Sequence, residues 1–286
     1  MRHYHSSVLP MVLVLLGITH HLQAGELPPE LVSQYAPAVE RLRHFYTHTT
    51  IHGQLKREFP TTGKSIEQNF VYRAAGVQLR MDLTTVGGKG VPNRAGSSEL
   101  YLATRDGSLV TTQRPSDQVF DDARELKYGD TKLHIRDTCL LEYPYTFGDH
   151  ETLLSFLQQS SVIAVKVTRL KRNGEILYRI RYTEVAGRED RPETWQSWFL
   201  LAPAQGWAIR DYSRSTGQGN AQVTFRGSLE YDSQADGMPL VARIEFSKES
   251  GSPPVCQERA TVVVSKITNG DPSIQYFTAF DFSPSN

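Results

Sequence analysis

The sequence predicts an α+β chain, mostly antiparallel β, built as one large sheet with two or three helices. Three observations predict it. Segments with a period of two follow one another through most of the chain, and turn dipeptides separate them. Only two segments carry a clear helical period. No low-complexity linker divides the 286 residues, so one large domain is expected.

The first helix is expected over Glu30 to Thr49, after Pro28-Pro29. Steps of about 100° per residue place Leu31, Tyr35, Ala38, Leu42, Phe45 and Tyr46 on one side. Pro37 lies inside this segment and predicts a kink or two shorter pieces. The period then changes to two. Ile51 to Phe59 reads as a strand ended by Pro60, and Asn69 to Leu83 as a hairpin turning near Ala75-Gly76. Val86 to Ser98 is glycine-rich and predicts a surface loop. Glu99 to Arg114 is a second hairpin, with Asp106-Gly107 tolerating positive φ at its turn.

Ser116 to Arg124 is a candidate short helix and Lys132 to Arg136 a candidate strand. A further helix is predicted over Glu151 to Ser160, with Asp149 suited to its N-cap and Leu153, Leu154, Phe156 and Leu157 grouped on its apolar side. Hairpins follow. Val162–Leu170 pairs with Ile176–Glu184 across Asn173-Gly174, the strongest local turn signal in the chain. Trp195–Leu201 pairs with Trp207–Tyr212, and Ala221–Tyr231 with Leu240–Phe246. Arg259–Ile267 is assigned Ile274–Phe282 as its partner. Trp195 and Trp198 stand on opposite faces of a regular strand, so this hairpin buries apolar rings on both sides.

Residues 1–24 read as an export signal: Arg2, an apolar run from Val8 to Ile18, and a cleavage point after Ala24. The apolar run falls short of the roughly 20 residues a spanning helix needs. Residues 25–286 are then expected as a single exported domain, not an integral membrane protein. The 31 basic and 31 acidic side chains balance, which argues against a nucleic-acid partner, whose binding relies on a basic stripe. In an exported chain, Cys139 and Cys256 permit a disulfide and equally two separate buried thiols.

Motifs that carry chemistry are scarce. His44, His48 and His52 recur every fourth residue, the spacing that aligns imidazoles for a metal on one helical face. That face is turned away from the Leu31/Leu42 stripe, so an exposed histidine row is the ordinary explanation. Gly63-Lys64-Ser65 has the tail of a phosphate-binding loop, but Glu58 stands where the first glycine belongs and a strand follows. Asp149-His150-Glu151 gathers an acid, a base and an imidazole, and helix capping accounts for it. No Gly-x-Ser-x-Gly or His-Glu-x-x-His pattern occurs, so no catalytic residue and no cofactor is assigned.

The helix Glu30–Thr49, the hairpins FVYRAAGVQLRMDL and ELYLATRDGSLVTT, the helix ETLLSFLQQS and the hairpin SWFLLAPAQGWAIRDY together resemble the lipoprotein-carrier (Lol-type) fold superfamily of exported bacterial envelope proteins. The resemblance spans about Leu31 to Phe282 and rests on the order of elements. It implies a strongly curved sheet, an incomplete barrel, with helices covering its concave face. It also implies a periplasmic, non-catalytic protein that binds a lipid or a lipid-anchored chain. The lid is then expected from Leu31, Leu42 and Phe45, or from Leu153, Leu154, Phe156 and Leu157. Two other readings stay open: an envelope scaffold without a ligand, and a metal-assisted hydrolase centred on His44, His48 and His52.

Overall fold

The computed structural model describes residues 28–76, 78–90, 98–104, 109–114, 124–126, 153–188, 191–233, 238–270 and 272. Residues 1–24 with the expected export signal, Cys139, Asp149-His150-Glu151, Lys132–Arg136 and Ile274–Phe282 lie outside them.

Helix α1 (Pro29–Tyr46) opens the described chain. Pro29 occupies its first turn, where a missing N–H costs nothing because no intrahelical acceptor exists there. The helix runs unbroken through Pro37, whose ring lies on the exposed side. It ends at Thr47, whose N–H and hydroxyl both lie within hydrogen-bond reach of the Arg43 carbonyl, at 2.9 and 2.8 Å, with the hydroxyl also 3.2 Å from the His44 carbonyl at the helix C-terminus.

Among the described residues thirteen antiparallel strands form one open, curved sheet. Six precede the second helix: β1 (His48–Phe59), β2 (Lys64–Ala75), β3 (Gln78–Lys89), β4 (Ser98–Thr104), β5 (Leu109–Arg114) and β6 (Arg124–Leu126). Helix α2 (Leu153–Leu157) follows and ends before the predicted Ser160, because a turn takes over at Gln158. Then come β7 (Val162–Arg172), β8 (Glu175–Arg188), β9 (Arg191–Ala202), β10 (Ala208–Thr216), β11 (Val223–Ser233), β12 (Pro239–Ser250) and β13 (Val255–Asn269).

The strand order is β6-β5-β4-β3-β2-β1-β13-β12-β11-β10-β9-β8-β7. Every neighbour is a sequence neighbour except one pair: β1 lies against β13. That contact joins two runs of hairpins into one sheet and gives β13 the neighbours β12 and β1. The predicted hairpins from Asn69 to Phe246 are present, including the Asn173-Gly174 turn with φ of 52° and 83° at its two residues, whereas Arg259–Ile267 pairs with β12 and β1 rather than with Ile274–Phe282. One loop assignment is corrected. Val86 to Lys89 belongs to β3, because a bulge at Glu67/Gln68 keeps Gly87 and Gly88 paired with Glu67 and Ile66.

Alternation along each strand assigns one face to the core. Ile51, Leu55, Phe70, Tyr72, Leu83, Ile180, Phe199, Leu229, Ile244 and Val262 are buried on it. They form one cluster with Leu31, Tyr35, Val39, Leu42, Phe45 and Tyr46 of α1, and with Leu153, Phe156 and Leu157 of α2. Trp195 and Trp198 take opposite faces as predicted. Trp195 meets Phe225, whereas Trp198 packs on a separate small cluster of Leu177, Leu200 and Ala202.

Candidate functional site

The site is built from the core face of the sheet and the two helices packed on it. Three cross-strand rows describe that face. The innermost contains Leu229, Ile244, Val262 and Leu55, consecutive across β11, β12, β13 and β1. The middle row runs Ile180, Phe199, Tyr212, Gly227, Phe246 and Ala260 from β8 to β13. Both are apolar apart from the Tyr212 hydroxyl. The third runs Tyr182, Ser197, Arg214, Phe225, Lys248 and Glu258 over the same six strands, and charges appear.

Glycine permits the close packing of the middle row. A Cβ on Gly227 would stand 2.2 Å from the Tyr212 ring, so that ring lies directly on the bare backbone. Gly53 serves β1 likewise: a Cβ there would meet the Val263 carbonyl oxygen at 2.4 Å and the Phe70 ring at 2.6 Å. Aromatic rings continue the packing, with Tyr182 stacked on Phe199 at 5.7 Å and Phe156 of α2 edge-on to Tyr182 at 5.3 Å.

Helix α1 is joined to its surroundings by apolar contact and by two tyrosines. Near its start, the Tyr35 hydroxyl accepts from the Leu153 N–H of α2 at 3.1 Å, and its ring lies edge-on to Trp207 at 6.5 Å. Leu153 opens α2, where an N–H has no intrahelical acceptor, so the phenol supplies the missing partner. At its end, the Tyr46 hydroxyl accepts from the Val241 N–H at 2.8 Å and donates to the Pro239 carbonyl at 3.2 Å. Burial pushes both phenols well above the usual tyrosine range, so these bonds do not titrate near neutrality.

The sequence-predicted lid residues are all in this core. Leu31, Leu42, Phe45, Leu153, Phe156 and Leu157 are buried, and Leu154 is half-buried against the same cluster. The two proposed lids therefore touch one core and one another through Tyr35 and Leu153. The histidines are not brought together as three. His44 and His48 have ring centroids 4.6 Å apart, and His48 Nδ1 is 2.8 Å from the His44 carbonyl. His52 is on the extended β1, off the helical spacing, and burial together with Arg73 and Lys266 holds its imidazole below the usual range. Among the described residues no three His, Cys, Asp or Glu side chains stand where they could hold a metal ion. The Cys256 thiol donates to the Glu258 carbonyl at 3.4 Å.

The opposite, outer face carries a groove of about 540 Å³ across β1–β3, β12 and β13. Gln54, Lys56, Glu58, Glu67, Arg243 and Glu245 line it, with ion pairs along single strands between Lys56 and Glu58 at 3.1 Å and between Arg243 and Glu245 at 2.7 Å. Its charges make it unsuited to an acyl chain. Among the described residues no helix is long and apolar enough to cross a membrane.

Tyr35, Tyr46 and the charged row were missed as site residues. Tyr35 and Tyr46 are visible in the sequence as members of an apolar stripe, but their partners lie 118 and 195 residues away. The charged row depends on strand register, for which single strands carry no signal.

No family model matches the chain, and no curated protein matches its sequence. Solved structures do. A DUF1329 family protein from Desulfovibrio piger overlaps with a TM-score of 0.53 at 10% identity, over 88% of this chain and 99% of that one. An outer membrane lipoprotein-sorting protein domain from Vibrio parahaemolyticus gives 0.49 at 8% identity, over 87% and 94%. A LolA superfamily protein from Nitrosomonas europaea gives 0.46 at 11%, over 87% and 99%. At such identities the likeness is one of fold.

Proposed function

We propose that this is a non-catalytic, exported envelope protein that binds a hydrophobic ligand, a lipid or a lipid-anchored chain, in the hollow of its curved sheet. The core face is the concave one, and α1 with α2 forms its cover. The observation that carries this reading is the way α1 is held. Its whole apolar stripe is buried on the core face, while one phenol at each end, Tyr35 toward α2 and Tyr46 toward β12, carries hydrogen bonds to its neighbours. Such a cover separates from the sheet without breaking a strand ladder.

The exchange is close to balanced. An acyl chain gains roughly 0.8 kcal/mol for each methylene buried, so a 16-carbon chain gains about 12 kcal/mol. Uncovering Leu31, Val39, Leu42, Phe45 and Tyr46 costs roughly 2 kcal/mol each, about 10 kcal/mol. A ligand of that length replaces the helix at little net cost, whereas a short one does not.

One observation favours the scaffold reading: in this structure α1 side chains occupy the core face. Delipidated protein titrated with a fluorescent fatty acid or lipopeptide separates the two. Saturable uptake at one chain per protein supports the carrier. No saturable uptake at any chain length removes it in favour of the scaffold.

A further inference from the structure

The third cross-strand row differs in chemistry from the two beside it, and that difference bears on the head of the ligand. In it and the rows on either side, aromatic rings stand next to cations. Trp195 and Phe225 have centroids 6.1 Å apart, and Phe225 and Phe246 likewise 6.1 Å apart. The Arg214 guanidinium lies 4.2 Å from the centroid of the Trp195 ring and bonds the Glu184 carboxylate at 2.7 Å, which neutralises and fixes it. Arg57, beside this row, stands 4.0 Å from Glu258. The third cation, Lys248, has its ammonium 5.7 Å from the centroid of the Phe225 ring and forms no ion pair among the described residues. Among the described residues three cations therefore meet two carboxylates, which leaves one positive charge at the edge of an apolar surface.

The position of this charge matters as much as its sign. Tyr46 fixes α1 at Pro239 and Val241, the start of β12, whereas Lys248 lies near the end of that strand. Trp195, Phe225, Phe246 and Lys248 are only half-buried there. Immediately inward, Phe199, Tyr212 and Phe246 begin the apolar rows that lead to the α1 core. The surface thus passes from a lone ammonium over aromatic rings into hydrocarbon, the order of polarity along an anionic amphiphile.

We propose that this end of the core face receives the carboxylate head of a single-chain amphiphile, with Lys248 as its counter-ion and the Trp195–Phe225–Phe246 rings under the first methylenes. This rests on the acyl-binding reading above and names the ligand class for it: a monoanion, matching the single uncompensated charge.

Isothermal titration of the delipidated full chain with palmitate and with neutral monopalmitoylglycerol tests it, since the two share a chain and differ in charge. Palmitate binds about five- to tenfold more tightly at low salt, the size of one partly exposed charge-assisted hydrogen bond. Added salt shrinks that preference, because the pair is screened. Lys248→Met retains the apolar stem and abolishes the preference, leaving monopalmitoylglycerol binding unchanged. Equal binding of both ligands by the unaltered protein, or a preference that survives Lys248→Met, overturns the head-group assignment while the hydrophobic carrier stands. Binding of neither ligand overturns both. The comparison on the unaltered chain does not depend on the variant folding.

Discussion

Removing one oxygen atom from Tyr35 tests how the cover is held. In Tyr35→Phe the ring stays in its place against Trp207, but the Leu153 N–H loses its acceptor. Leu153 is 1% exposed, so no water replaces the phenol. An unpaired buried amide costs about 1–3 kcal/mol, and the covered state is destabilised by that amount. If ligand uptake requires α1 and α2 to part, the bond is already broken in the bound state, and the variant no longer has to break it. Apparent affinity for a long acyl chain then rises about 5- to 150-fold, which is the same free energy expressed as binding. Urea unfolding monitored by circular dichroism gives the loss of stability, and titration with a fluorescent fatty acid gives the affinity. A variant that loses stability with affinity unchanged or weakened refutes the reasoning, because α1 and α2 would then stay joined around the ligand. Tyr46→Phe removes the acceptor of the Val241 N–H at the other end of the same helix, and its affinity rises in the same direction.

Further outcomes concern the packing and the pH response. Leu42→Ala, at a fully buried position of α1, lowers unfolding free energy by about 2–5 kcal/mol in urea titration. Gly53→Ala costs at least about 1–3 kcal/mol, because the Val263 backbone oxygen in its way cannot rotate aside, and thermal melting reads the loss. Asp211, half-buried on β10 near Arg210, Arg172 and Arg179, has its carboxyl raised by burial against the pull of those cations. A raised carboxylate destabilises the fold above its folded pKa, and the penalty fades as pH falls through that value to the unfolded one. Asp211→Asn is therefore more stable than the parent at pH 7, and the two converge in acid. A gain that persists or grows in acid contradicts the assignment.

Local chemistry made much of the architecture legible. Asn173-Gly174 supplies two positive φ angles in sequence, so the β7–β8 hairpin is encoded within four residues. The α1 stripe follows from the helical period, and all seven of its buried residues fall on one side. What the sequence left hidden is non-local. Arg259–Ile267 carries no mark that its neighbour is Ile51–Phe59, some 200 residues earlier, because any two alternating strands satisfy the same pattern. Val86 to Lys89 read as a loop for its glycines, while the bulge at Val86 that draws them into β3 shows only once β3 is paired with β2. The charged row has the same origin. Arg214, Phe225 and Lys248 are unremarkable on their own strands, and only register makes them neighbours.

Hydrogen–deuterium exchange across Pro29–Tyr46, with and without a saturating long-chain fatty acid, measures the central claim directly. The covered protein protects the amides of α1 as part of the core. Bound ligand is expected to accelerate exchange throughout α1 and to leave the β11–β13 ladder protected. Bound ligand with α1 as protected as before would contradict it.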